Sequence, residues 1–166
     1  MNHYKSWSGL NRQLSDFLCD PLKNRITYFL TRYHDVHNSY GRAAVLLDKT
    51  ELAVFSWIEM YHQEYAISKL HDNGLSFSEA KEKLKSEWDK NGTYCDMDFL
   101  SAATAFLQMP ICEALNHDNY IIRIFAILDK RVGKRTLQAI KSNGSYTALP
   151  EWLKQFYELR FRVSDC

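Results

Sequence analysis

The sequence predicts a single α+β domain over residues 1–166, with an N-terminal helix, a three-stranded antiparallel sheet and then a mainly helical C-terminal half. Three observations predict this class. Apolar residues recur at helical spacing before Pro21, three β-type runs lie between Arg25 and Ser56, and helical spacing returns from Trp57 onward. A chain of 166 residues that is 46% hydrophobic can bury a core of its own.

The first predicted helix runs from Trp7 to Cys19 and ends before Asp20-Pro21, because proline cannot continue a helix. Three β-type runs follow it, namely Arg25–Tyr33, in which the two faces alternate, Arg42–Leu47 and Glu51–Ser56. The polar segment His34–Tyr40 separates the first two runs and is expected to be a loop. Only Asp48 to Thr50 separate the last two runs, which is short enough for a hairpin.

The chain from Trp57 onward is predicted to be helical. Trp57, Tyr61 and Tyr65 recur at every fourth position, which we interpret as a mostly buried helix. A capping box at Ser76–Glu79 begins the next helix. Its inward stripe is predicted to consist of Phe77, Ala80, Leu84 and Trp88.

Four further helical segments are predicted, at Asp96–Leu107, from Asp118 or Asn119 to Val132, at Thr136–Lys141 and at Pro150–Phe161. The β-branched pair Ile121-Ile122 leaves a strand open as the alternative for the second of these segments.

The cysteines and the N-terminus indicate where the protein resides. Cys19, Cys95, Cys112 and Cys166 are widely spaced, with no C-x-x-C pair, so we expect reduced and mostly structural thiols. Residues 1–14 contain no continuous apolar segment of the kind a signal peptide requires. The most apolar stretch, Tyr120–Leu128, is far too short to cross a bilayer. The expectation is a cytoplasmic protein with no membrane partner.

The motifs for cofactor or covalent chemistry are weak. Gly133-Lys134-Arg135-Thr136 lacks the upstream glycine of a phosphate-binding P-loop. Glu59-x-x-His62 has the spacing of a di-iron half-site, but the chain has no second copy of it. The sequence therefore predicts no cofactor, no metal and no catalytic residue. Should the protein be an enzyme, the candidate centres are Cys112, placed near the start of a short helix, and the metal-type pair His34 and His37.

Charge is unevenly distributed, with a net charge of −6 over residues 59–118 and +5 over residues 119–166. The candidate anion-binding residues lie in the basic third: Arg123, Lys130, Arg131, Lys134, Arg135 and Arg160. Two interpretations stay open for them. They bind nucleic acid or a phosphorylated ligand. Alternatively, the four residues between 130 and 135 are solvated or pair with Asp129, Glu158 and the acidic middle segment.

The order helix, three strands, helix is that of a double-stranded RNA-binding domain. Such domains resemble one another in a lysine-rich start to the helix after the sheet. Here that helix begins Trp57-Ile58-Glu59-Met60, which is apolar and acidic. The shared order therefore gives no support for RNA binding, because topology alone does not carry function.

Segments along most of the chain resemble a family of small uncharacterised bacterial proteins. The N-terminal part of the resemblance includes Trp7-Ser8 with Leu10, and Gly41-Arg42 leading to Asp48. Its most specific part is Leu128-Asp129 followed by Arg131-Val132-Gly133-Lys134-Arg135 and Leu137. The resemblance implies a bacterial, cytoplasmic, single-domain protein and brings no catalytic or ligand residues with it.

Two functional hypotheses follow. The leading one is a non-catalytic interaction domain whose partner is another protein, bound through an exposed aromatic patch drawn from the ten tyrosines. The alternative is binding of nucleic acid or a phosphorylated ligand through the basic segment, residues 123–135, together with Arg160.

Overall fold

The computed structural model describes residues 6–32 and 41–164 of the chain. The helices are α1 (Trp7–Phe17), α2 (Trp57–Asp72), α3 (Phe77–Asn91), α4 (Asp96–Phe106), α5 (Ile111–Leu115), α6 (Tyr120–Leu128), α7 (Lys134–Asn143) and α8 (Glu151–Ser164). The strands are β1 (Ile26–Arg32), β2 (Gly41–Leu47) and β3 (Thr50–Ser56). The predicted fold class is confirmed, whereas the predicted loop His34–Tyr40 lies outside the described residues.

The three strands form an antiparallel sheet in the order β1-β2-β3. Tyr28 pairs with Val45 across the first two strands, and Ala43 pairs with Phe55 across the second pair. The predicted hairpin is a two-residue turn in which Asp48 and Lys49 have φ of 50° and 71°. Two successive positive φ values match the right-handed twist of the strands. Arg25 holds the turn, since its Nη2 lies 2.6 Å from Asp48 Oδ2.

The core lies between the inner face of the sheet and helices α1, α4, α6 and α8. Helix α6 is at its centre, and seven of its nine residues are buried. Asn119 caps this helix by accepting the Ile121 backbone N–H at 2.9 Å, which excludes the strand alternative. Phe125 of α6 contacts Tyr28 edge-on, with ring centroids 5.3 Å apart, and Phe99 at 5.4 Å. The sheet and the helical half therefore share one core.

Two predictions of burial are wrong. Helix α2 has no buried residue, and Phe77, which was expected to point inward, is 60% exposed. The reason is that α2 packs mainly against α3, and the two helices form a hairpin beside the core. Periodic apolar residues show that a helix has an apolar face, but they do not show that the same chain covers that face.

Among the helices of the described residues, none combines the length and apolar character that a bilayer crossing requires.

Candidate interaction surface and the basic segment

The helical hairpin of α2 and α3 is defined by local capping. Ser76 Oγ accepts the Glu79 backbone N–H, and Glu79 Oε2 accepts the Ser76 backbone N–H at 2.9 Å. This is the predicted capping box. The Ser76 hydroxyl also donates to Glu79 Oε2 at 2.6 Å, and this hydrogen bond, together with the one from the Ser76 backbone N–H, lowers the pKa of the Glu79 carboxyl because both favour its charged form. The hairpin thus reverses direction at a defined point.

The base of the hairpin is fastened to α8. Trp152 Nε1 donates to the backbone carbonyl of Asp89 at 2.9 Å. Helix α3 ends at Gly92, whose φ is 68°, and a Cβ at this residue would lie only 3.0 Å from the Trp152 ring. Gln63 of α2 donates to the Thr93 carbonyl at 2.7 Å. This hydrogen bond attaches α2 to the segment that follows α3.

The outward face of α2 is aromatic and open. Ile58, Tyr61 and Tyr65 follow one another at i, i+3 and i+7, so they lie on one stripe of the helix. Their side chains are 44%, 47% and 73% exposed. The Trp57 ring contacts the Tyr61 ring edge-on, with centroids 5.4 Å apart. Four of the eight large hydrophobic side chains that are exposed in the described residues lie on this helix.

The opposite stripe of α2 is the one that α3 covers. Gln63, Ala66 and Leu70 repeat the spacing i, i+3 and i+7, and all three are half-buried. On α3 the matching small residue is Ala80, which is fully buried. Helix α2 is therefore apolar on two sides, and the hairpin uses only one of them.

Two charged residues of α2 flank its aromatic stripe, Glu64 and Lys69, and both are exposed. They are five residues apart, which is too far around and along the helix for an intrahelical ion pair. Neither has an ion pair within residues 6–32 and 41–164. The Glu59 carboxylate, by contrast, lies 3.2 Å from His62 Nδ1.

The tip of the hairpin adds one further exposed aromatic residue. The Phe77 ring stacks on the imidazole of His71, with centroids 4.0 Å apart. The Nδ1 atom of His71 lies 2.8 Å from the Leu75 carbonyl oxygen and donates its N–H to it. This pair of rings lies at the turn between α2 and α3, beyond the stripe of Ile58, Tyr61 and Tyr65.

The outer face of the sheet is a smaller exposed surface. Phe29 and Val54 are 39% and 38% exposed there, and the Arg42 guanidinium lies 6.0 Å from the centre of the Phe29 ring. Arg42 is also paired with Glu51 across the same face. Charge and apolar area therefore alternate on the sheet, in contrast to the continuous stripe on α2.

The six basic residues predicted to bind anions are not brought together on one face. Arg160 is only 6% exposed, and its Nη2 donates to the Val132 carbonyl at 3.0 Å. Arg123 is half-buried and donates from Nε to the His117 carbonyl at 2.6 Å. These two guanidinium groups hold backbone carbonyls inside the fold.

Arg131 makes a two-pronged pair with Asp129, which is fully buried. Its guanidinium lies 4.2 Å from the centre of the Phe17 ring. Of the two interpretations left open by the sequence, pairing with Asp129 is therefore the one observed for Arg131. The remaining three basic residues, Lys130, Lys134 and Arg135, are exposed.

The segment around Asp129 has a structural role that its sequence did not reveal. Leu18 and Asp129 form an isolated antiparallel bridge. The Cys19 N–H donates to the Leu128 carbonyl at 3.0 Å, and the Lys130 N–H donates to the Phe17 carbonyl at 2.7 Å. The end of α1 is thereby joined to the end of α6. The short strand-like segment has no alternating pattern of its own, so only the structure reveals it.

The other candidate centres are placed as follows. Cys112 is exposed in the five-residue helix α5, whereas Cys19 and Cys95 are buried. Burial raises the pKa of the Cys95 thiol to about 11, so this thiol is protonated at neutral pH. No group of three or more His, Cys, Asp or Glu side chains that could hold a metal occurs in the described part of the chain. The predicted pair His34 and His37 lies outside the described residues.

The fold and its surface define a small α+β domain with an open aromatic face on a helical hairpin. The chain belongs to the SF0329 protein family, whose sequence model matches residues 6–161. No curated protein matches the chain, and no solved structure matches it. The family match covers most of the chain, as the resemblance in the sequence implies.

Proposed function

We propose that the protein is a protein-interaction domain and that the outward face of α2 is the surface to which its partner binds. The observation that supports this proposal is the exposure of Tyr65, at 73%, on one stripe with Tyr61 and Ile58. Exposed apolar groups that lie together, rather than scattered singly, are typical of interaction sites.

The kind of side chain also favours a protein partner. Tyrosine is enriched at protein interfaces because its ring contributes apolar contact area and its hydroxyl can remain hydrogen-bonded. A stripe at i, i+3 and i+7 is the pattern by which a helix contacts another helix or an apolar groove. In the strands that the structure describes, the outer face of the sheet has no comparable stripe.

We further propose that the domain is non-catalytic and acts in the bacterial cytoplasm. Reduced cysteines fit that compartment, since disulfides are rare there. Cys19, Cys95 and Cys112 are free thiols. The bacterial origin rests on the resemblance of the sequence to bacterial proteins.

The test is site-specific photo-crosslinking in cells of the source organism. Benzoylphenylalanine in place of Tyr65 is expected to form a defined adduct with a protein partner. The matched control places the same group at Lys83, an exposed residue of α3. An adduct from position 65 but not from position 83 supports the proposal. No adduct, or the same adducts from both positions, would overturn it.

The alternative function, binding of nucleic acid or a phosphorylated ligand, would depend on Lys130, Lys134 and Arg135. These are the exposed residues of the basic segment that have no ion pair in the described residues. Fluorescence anisotropy against short labelled RNA and DNA at low salt tests it. A salt-sensitive signal that is lost in the variant Lys134→Ala/Arg135→Ala would favour this alternative over the protein-interaction proposal.

A further inference from the structure

We propose that the partner of α2 is the α2 helix of a second copy of this chain, and that the two helices lie parallel. The inference rests on the proposed function, since it takes the outward face of α2 to be an interaction surface. It adds the identity of the partner and the direction of the pairing. Three properties of α2 carry it.

The first property is the heptad spacing of the open stripe. With Ile58 at position a of a heptad, Tyr61 is at d and Tyr65 is at the next a. Residues at a and d form the seam along which two helices pack. Because α3 covers the opposite stripe of α2, this seam is open to a second helix.

The second property is the placement of charge beside the seam. In the same heptad frame, Glu64 is at position g and Lys69 is at the following position e. Position g of one helix lies beside the next e of its neighbour when two helices run parallel, and such pairs set partner and orientation. A parallel pair therefore places Glu64 beside Lys69 of the second copy, and the two-fold axis makes this contact twice.

The antiparallel arrangement lacks this match. There, g positions face g positions and e positions face e positions, so the neighbours of Glu64 are Trp57, Glu64 and His71. Lys69 then meets only His62 or another Lys69. The charges at positions g and e of α2 are thus complementary to a second copy of the same helix in the parallel direction only.

The third property is that both charges are available. Glu64 and Lys69 are exposed, and neither is engaged in an ion pair in the part of the chain that the structure describes. Their separation of five residues prevents them from pairing within one helix. A second copy supplies the partner that each of them lacks in the single chain.

The length of the seam limits the strength of the dimer. Beyond Tyr65 the seam positions are Ser68 and Asp72, and two Asp72 side chains would repel each other near the tip. The apolar part of the contact is thus confined to residues 58–65 of α2. A tyrosine side chain buries about 150–250 Å² when fully covered. Stable complexes bury about 1,600 Å² in total, so a seam of three apolar residues on each helix predicts a weak dimer.

Sedimentation equilibrium of the purified chain over a wide concentration range tests the pairing. The natural chain is expected to form a concentration-dependent dimer. Lys69→Glu places two carboxylates together and should weaken the dimer about tenfold, as should Glu64→Lys. The combined variant Glu64→Lys/Lys69→Glu exchanges the two charges and should restore the dimer. This rescue separates the proposed contact from a general loss of structure.

Disulfide trapping tests the direction. Ile58→Cys, in a background of Cys112→Ser and Cys166→Ser, is expected to form a cross-linked dimer on mild oxidation, because parallel helices bring the two residues 58 together. An antiparallel pair would hold them several turns apart. The matched control is Lys83→Cys on the exposed surface of α3, which should form no disulfide-linked dimer under the same oxidation.

A chain that stays monomeric at every concentration would overturn the second-copy proposal. So would a dimer that is unaffected by Lys69→Glu and is not trapped through residue 58, since it would use another face. The photo-crosslinking experiment distinguishes this proposal from the proposed function. A crosslink from position 65 to a different protein would support the proposed function and overturn the second-copy proposal. The absence of any crosslink would overturn both.

Discussion

The carboxylate of Asp96 lies directly against the Cα atom of Gly41. A Cβ added to residue 41 would stand 2.0 Å from Asp96 Oδ2, 2.7 Å from its Cγ and 3.1 Å from the Thr31 carbonyl oxygen. Asp96 is the first residue of α4 and is 2% exposed, so it has little room to withdraw. The absence of a side chain at residue 41 therefore allows the helical half to pack on β2.

We predict that Gly41→Ala destabilises the fold by about 1–3 kcal/mol, because the methyl group overpacks a closed contact. The shift of the urea midpoint measures this loss, provided that the dependence of the unfolding free energy on urea concentration is unchanged. Gly133→Ser is the control, since a Cβ at residue 133 would meet no atom within 4 Å and serine is at least as favourable as glycine at the N-cap of α7, the position that Gly133 occupies. Equal midpoints for the two variants would show that the Asp96 contact is not tight in solution.

A second prediction concerns the buried pair of Asp129 and Arg131. Arg131→Met should destabilise the fold by about 3 kcal/mol, because it leaves a buried carboxylate without its counter-ion. Lys130→Met, at the exposed neighbouring position, should change the unfolding free energy by less than about 0.5 kcal/mol. The double variant Asp129→Asn/Arg131→Met should recover part of the loss. A loss as small as that of Lys130→Met would mean that water already screens Asp129.

The pairing of Asp129 with Arg131 could not be predicted from the sequence. The residues stand in the most specific part of the family resemblance, and charge alone allowed either a ligand site or an internal pair. In the structure, Asp129 pairs with Leu18 in an isolated bridge, and its carboxylate is buried there. Such a contact joins positions more than a hundred residues apart, and local periodicity carries no signal for it.

Local features, in contrast, were predictable. The capping box at Ser76 and the hairpin turn at Asp48 depend on neighbouring residues only, and the structure confirms both. The face of α2 was not predictable for a different reason. Trp57, Tyr61 and Tyr65 have the spacing of a buried helix, and that spacing is the same whether the cover comes from this chain or from another.

A third prediction tests whether the α2 face is dispensable for folding. Tyr61→Ser/Tyr65→Ser should leave the unfolding free energy of the monomer within about 1 kcal/mol, because both rings are largely in water and the two residue types have similar helix propensity. Phe125→Ala, at the centre of the core, should lose about 3–5 kcal/mol. Denaturation at low protein concentration avoids any contribution from association. A large loss in the tyrosine variant would place these rings in the core.

The fourth prediction concerns alkaline pH and Cys95. Burial raises the pKa of this thiol from 9.0 to about 11, so the unfolded chain loses the proton at lower pH than the folded chain does. The stability tied to this proton is complete below pH 9.0 and is lost as the pH rises toward about 11. The free energy of unfolding should therefore decline across that interval, and Cys95→Ala should flatten the decline.

Alkylation gives an independent measurement, since at pH 8 iodoacetamide should label the exposed Cys112 and spare Cys95. Equal labelling of the two thiols in the folded chain would show that α4 opens at its first turn, and the alkaline decline would then have another origin.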